Sequence, residues 1–197
     1  MNTATGTPGG RYYLLVAAGV SALFTAVLLY MVEHRAAILR SGTEVVLKTV
    51  PVDPRDLLRG DYVVLSYEVS RIPASLVKGD WPAPGSWTRM NVRLRPGPDG
   101  YWTVAEAAFG DLPPAEGSVV LRTQRFRLYT PPDDKEGEIS VDYGIERYYV
   151  PEGEGRPIED ARNDDEVSVA ARVGAGGQAQ IRELRVRGIP AYEEPLY

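Results

Sequence analysis

The run Tyr13–Val32, YLLVAAGVSALFTAVLLYMV, holds twenty residues without a charge or a proline and is followed at once by Glu33, His34 and Arg35. At about 1.5 Å per residue such a run reaches about 30 Å, the hydrocarbon thickness of a bilayer. Tyr12, Tyr13 and Tyr30 fall where aromatic side chains settle at a membrane–water interface. A soluble helix would carry a polar face, and this one has none. The segment is therefore read as a transmembrane helix that takes the lipid bilayer as its partner through residues 13–32. It is expected to continue for about two turns, through Arg40, until Gly42 ends it. A cleaved leader fits less well, because its apolar region is shorter and stops at a small-x-small site, whereas this run closes on Tyr30, Met31 and Val32. Arg11 on one flank is nearly balanced by Arg35 and Arg40 on the other. A short tail before a first span is the layout of an N-in signal anchor, which puts the remaining chain outside the cytoplasm.

Three regions follow: a flexible tail over 1–10, the helix and its extension over 11–40, and a β-rich domain over 43–197. The last shows short segments punctuated by proline and glycine, the pattern of an antiparallel β-sandwich or barrel-like domain. The fold class is thus mainly β, after one N-terminal transmembrane helix. Strands are expected at Thr43–Val50, Asp61–Val69, Thr88–Arg95, Tyr101–Phe109, Ser118–Thr130, Glu138–Val150, Glu166–Val173 and Gln178–Arg187. The last two, joined by Gly174-Ala175-Gly176-Gly177, read as a hairpin. In Ser118–Thr130 the apolar phase changes from Val119 and Leu121 to Phe126 and Leu128, which predicts a bulge near Thr123–Gln124. The polar loop 131–137 should return that strand into Glu138–Val150 as another hairpin. Short helical pieces are expected at Arg71–Lys78 and Pro157–Asn163, and an exposed loop at Gly79–Trp87.

Composition removes much chemistry. The chain has no cysteine, so disulfides, thiolate metal sites and cysteine nucleophiles are excluded, and its only histidine is His34. Lys48, Lys78 and Lys135 are the only lysines. All other basic residues are arginines, which hold anions but do not accept protons. A formal charge of -5 and a pI of about 5.1 argue against nucleic acid as a partner. No catalytic residue, metal site or cofactor is assigned.

Two clusters remain as binding candidates. Pro51–Tyr62 is a rigid turn in which Asp53 can accept backbone N–H groups; as a ligand loop it would offer Arg55, Arg59 and Asp61 beside Tyr62 and, further on, Tyr67. Tyr143–Gly153 with Pro157–Asp160 supplies Glu146, Arg147, Glu152 and Glu159. The latter two carboxylates could converge on a hard cation or act as a pair, although strand pairing and turn chemistry account for the same residues and no metal code is matched.

Gly60-Asp61-Tyr62-Val63-Val64-Leu65-Ser66-Tyr67 resembles, letter for letter, the pattern that gives the GDYXXLXY family its name. The preceding Pro-Val-Asp-Pro-Arg-Asp, and Gly144–Gly153 with Ile158-Glu159, are also similar to that family. The resemblance implies a bacterial protein held in the inner membrane, often encoded beside polytopic membrane proteins, and brings no activity or catalytic residues with it. Asp53–Leu65 is also similar to the Ser-Met-x-Pro-Thr-Leu-x-x-Gly-Asp-x-Val segment of type I signal peptidases. Where that nucleophilic serine should stand, three residues before Pro54, this chain has Pro51.

These readings favour a non-enzymatic binding or assembly module for another envelope membrane protein, a polytopic one by the resemblance. Arginines and tyrosines on an acidic surface suit protein interfaces. Ala18, Gly19, Ser21, Ala22 and Ala26 would also let a second copy pack closely in lipid, as a homo-oligomer. The alternatives are a divalent-cation-dependent hydrolase using Asp61, Glu146, Glu152 and Glu159, and a binder of envelope glycans or peptides that stacks them on Trp81, Trp87 and Trp102.

Overall fold

The computed structural model describes residues 9–51, 62–129, 137–150, 158, 161 and 166–194. The chain divides between Ala37 and Ile38 into two compact units. Helix α1, Gly9–Ser41, makes up the described part of the first unit and ends in the second. Its stretch from Tyr12 to Ser41 is long and apolar enough to cross a membrane, and none of the most apolar part is buried. The helix stops where Gly42 donates its N–H to the Ile38 carbonyl at 2.8 Å. A Cβ at residue 42 would stand 2.6 Å from that oxygen and 3.0 Å from the Val173 backbone, so close approach requires glycine here.

The second unit is mainly β. Thr43–Val50 (β1) pairs antiparallel with Val167–Val173 (β13), which forms a hairpin with Ala179–Val186 (β14) across Gly174–Gly177. Ile189–Glu193 (β15) adds an outer strand, and Ser66–Tyr67 (β3) extends the sheet on the far side of β1. The second sheet orders Val77–Lys78 (β5), Trp102–Ala108 (β8), Asn91–Pro96 (β7) and Val119–Arg122 (β9); its β5–β8 pair is parallel. Two-stranded ribbons join Tyr62–Val64 (β2) to Arg147–Tyr149 (β12), Arg71–Pro73 (β4) to Glu138–Ser140 (β11), and Trp87–Thr88 (β6) to Phe126–Arg127 (β10). Among the described residues the sheets stay open and no barrel closes.

The alternation of β-branched and aliphatic residues explains the core. Val45 and Leu47 of β1, Val92 and Leu94 of β7, Leu121 of β9 and Val169 of β13 belong to one buried cluster, so both larger sheets share a core. The carboxyl-terminal hairpin forms as its alternation requires, with a bulge between Ala170 and Ala171. The irregularity expected at Thr123–Gln124 is real: it separates β9 from β10, and Thr123 turns inward to take the Met90 N–H on its Oγ1 at 2.9 Å.

Other expectations are corrected. Glu138–Val150 is two strands rather than one, because Asp142–Glu146 folds into a turn with Gly144 at φ +88. β11 and β12 pair with β4 and β2, so Ser118–Thr130 does not form a hairpin with this segment. Asp61–Val69 is interrupted at Leu65 and closes in a 3-10 turn at Glu68–Ser70. Arg71–Lys78, expected to be helical, contains only one 3-10 turn, Ala74–Leu76, between β4 and β5. Ile158 and Ala161 are helical, and the rest of Pro157–Asn163 lies outside the described residues. β15 was not expected; Arg187 and Gly188, at φ +52 and +76, make a two-residue turn that folds it back on β14.

One buried charge ties the second sheet to the loop before β9. Arg93, only 3% exposed, donates Nε to Glu106 Oε1 at 2.6 Å, Nη1 to Ser118 Oγ at 2.9 Å and Nη2 to the Pro113 carbonyl at 2.5 Å. Arg93→Ala leaves Glu106 and that carbonyl without their partner. Its expected cost is about 3–5 kcal/mol, read by urea unfolding of the full chain in detergent. A loss below about 1 kcal/mol would mean the guanidinium is dispensable for the fold.

Candidate functional site

The segment that carries the Gly-Asp-Tyr motif changes partners midway. Tyr62, Val63 and Val64 pair with Tyr149, Tyr148 and Arg147 on β12, whereas Ser66 and Tyr67 pair with Val50 and Thr49 on β1. At the switch, Leu65 is buried and its N–H donates to the Glu146 carbonyl at 2.9 Å. Val63, Leu65 and Tyr67 point into the core, so their alternation sets which motif residues remain outside.

Two tyrosines lock this crossing. Tyr67 is fully buried and donates its hydroxyl to the Ile145 carbonyl at 2.5 Å; Tyr143 returns the arrangement by donating to the Val69 carbonyl at 2.7 Å. Burial, followed by the nearby Glu146 charge, raises the pKa of both phenols well above the ordinary value, so both stay protonated donors. Glu146 holds the turn between them: its Oε1 accepts the Tyr143 N–H and its Oε2 the Gly144 N–H at 2.8 Å. Its pKa is nevertheless raised, because burial outweighs the stabilising backbone N–H groups, with Asp142 adding like-charge repulsion. Gln124 closes the turn from outside, its N–H on the Asp142 carbonyl at 2.6 Å.

These contacts place the candidates. Tyr67 lies inside and Glu146 is half-buried, and both serve the fold. Tyr62, half-buried, and the exposed Arg147 face outward, with the guanidinium 5.6 Å from the Tyr62 ring and the Tyr149 ring 5.8 Å from it. Tyr149 is 71% exposed and Val64 is exposed beside it. The next strand residue, Tyr148, packs inward against Tyr192; burial, then Glu194 and Tyr192, pushes its pKa up to about 12. Asp53, Arg55, Asp61, Glu152 and Glu159 lie outside the described residues. Among the described residues no group of three or more histidine, cysteine, aspartate or glutamate side chains could hold a metal ion. Of the tryptophans, Trp87 is 63% exposed, while Trp81 and Trp102 pack against the core.

Two clefts open on the second unit. One, of about 590 Å³, lies against the Gly174–Gly177 turn, but much of its polar lining is already bonded: Arg93 as above, Arg122 to the Gly176 carbonyl at 2.8 Å and Asn91 to the Gly110 carbonyl at 2.9 Å. The other, of about 380 Å³, has Trp102, Val69 and Val104 with Glu68, Arg71 and Glu138 around it. Neither was visible in the sequence, since each is assembled from segments far apart in the chain. Arg93 did leave a signal: it stands between Val92 and Leu94 in a strand where successive residues on both faces are buried.

The structure thus defines a mainly β protein with one N-terminal helix long and apolar enough to span a membrane, organised around a tyrosine-locked strand crossing. The chain belongs to the GDYXXLXY protein family, whose family model matches residues 24–184. No curated protein and no solved structure matches it.

Two outcomes test the lock. Tyr67→Phe leaves the Ile145 carbonyl buried without a donor and is expected to cost about 1–3 kcal/mol in denaturant unfolding. For Glu146, the folded pKa lies above the ordinary 4.5, so the folded state binds its proton more tightly than the unfolded chain does. The stability this adds is complete below pH 4.5 and is lost as pH rises through the raised folded value. The stability gap between the parent chain and Glu146→Gln should therefore shrink as pH rises through that window. A gap that widens with pH would reverse the assignment.

Proposed function

We propose that this chain is a membrane-anchored, non-enzymatic binding or assembly module. Its β domain lies outside the cytoplasm of a bacterial inner membrane and docks on a polytopic membrane protein of the envelope. One observation carries the reading. The motif's Tyr67 spends its hydroxyl on the fold, while an aromatic and cationic face of Tyr62, Val64, Arg147 and Tyr149 is left on the outside of the β2–β12 ribbon. Tyrosine and arginine are the residue types that dominate interface energetics, and the paired strands hold them in fixed register. The apolar helix supports the same reading, since a partner embedded in the bilayer can be met by anchor and domain together.

The test is photo-crosslinking from native membranes with a photoreactive residue at Tyr149. Recovery of one polytopic membrane protein is expected, reduced about tenfold by Arg147→Ala. It should be lost when the apolar run is replaced by an unrelated span. Undiminished recovery with Arg147→Ala and an unchanged melting temperature would remove this face from the interface. Recovery of no membrane protein at all would overturn the assembly role in favour of a soluble ligand or carboxylate chemistry.

A further inference from the structure

The smaller cleft carries a second binding chemistry that shares no residue with the Tyr62–Tyr149 face. It is formed where the β4–β11 ribbon, the 3-10 turn at Glu68–Ser70 and the start of β8 meet. In the ribbon, Ile72 pairs with Ile139 and both are buried, so by strand alternation their neighbours Arg71 and Glu138 lie on the opposite, outward face. Arg71 stands opposite Ser140 and Glu138 opposite Pro73, which sets the two residues diagonally on one surface, their backbones about 7–8 Å apart by ordinary strand geometry. Glu68 joins them from the turn. Behind these charges the wall is apolar: Val69 is buried, and Val104 and Trp102 are half-buried.

What separates this cleft from the larger one is that its charges are unspent. Among the described residues, Glu68, Arg71 and Glu138 make no side-chain hydrogen bond and no ion pair, although each is exposed at the mouth of a cleft of about 380 Å³. That volume lies within the range of small-molecule sites. Two carboxylates beside an indole favour an ammonium group, by direct hydrogen bonds and by the attraction of a cation to the ring. A guanidinium close by favours a carboxylate and repels a second ammonium. Neither a simple cation nor a simple anion satisfies both halves; a compact molecule bearing one charge of each sign does.

We propose that this cleft binds a small zwitterion of the amino-acid or short-peptide class. Glu68 and Glu138 take the ammonium, Arg71 takes the carboxylate, and Trp102, Val69 and Val104 cover the apolar side chains. The inference goes beyond partner docking and stands whether or not that docking occurs.

The experiment is an NMR titration of the full-length chain in detergent micelles with the dipeptide Ala-Ala. The Trp102 indole N–H is followed after assignment by Trp102→Phe. The blocked N-acetyl-Ala-Ala-amide serves as the uncharged control. A saturable shift with Ala-Ala, weakened at least about fivefold by blocking both termini and by Arg71→Ala, is expected. Glu138→Gln should weaken Ala-Ala in the same way while leaving the blocked peptide unchanged. No saturable shift, or one that the blocked peptide matches, overturns the proposal. The comparison of free with blocked peptide needs only the parent chain, so it decides the matter even where a variant fails to fold.

Discussion

The crossing at which the Gly-Asp-Tyr segment changes partners depends on one reciprocal exchange between buried tyrosines. Tyr67 reaches forward to the Ile145 carbonyl and Tyr143 reaches back to the Val69 carbonyl, across more than seventy residues of sequence. The strands around them contribute little by themselves: β2, β11 and β12 are three residues long and β3 is two. Isolated two-stranded pairs of ordinary length are marginal in water, and these are shorter. The ribbons persist because side chains supply what their ladders lack, with both phenols in a setting where an unmade hydrogen bond would cost its full desolvation penalty.

The same exchange explains why the motif reads as it does. Tyr67 must reach a carbonyl through the core, Leu65 must be apolar where the strand changes partners, and Tyr62 stands on the outward face of the same strand. Glu146 lies within the same assembly, and its placement is a compromise. Its two oxygens fix the turn at Tyr143–Gly144, yet its charge is held in surroundings that disfavour it. A carboxylate so engaged serves geometry, and its raised pKa marks the cost of that service.

How much of this was legible follows from how each element announces itself. The N-terminal helix, β1 and the β13–β14 hairpin were readable because each has a long periodic pattern and, for the hairpin, a glycine-rich turn. The division of Glu138–Val150 was not, because its apolar alternation through Val141, Tyr143 and Ile145 continues across the turn, and only Gly144 interrupts it. Arg71–Lys78 failed for a related reason: a mixed eight-residue stretch with one proline suits a short helix, whereas ladder partners on β11 and β8 decide it. β15 was hidden by its turn, since Arg187 takes a left-handed conformation that sequence reading assigns to glycine or asparagine. At the candidate site, Tyr62 and Arg147 could be singled out by type, but their stacking beside Tyr149 depends on strand register. The clefts depend on which distant segments become neighbours, and no local pattern records that.

The outermost strand of the larger sheet has one more consequence. β15 presents Pro190 near its start, a residue with no N–H to offer, and its ladder with β14 is irregular between Leu184 and Arg185. Its far end is held by Arg182, which donates to the Glu194 carbonyl and to Glu193. An edge so interrupted is a poor template for another strand. Chains gathered in the plane of a bilayer meet their own copies far more often than chains diluted in three dimensions, and an open sheet with a clean edge would there grow from molecule to molecule. With the anchor proposed above, the shape of β15 would let the protein be crowded without polymerising through this edge of the sheet.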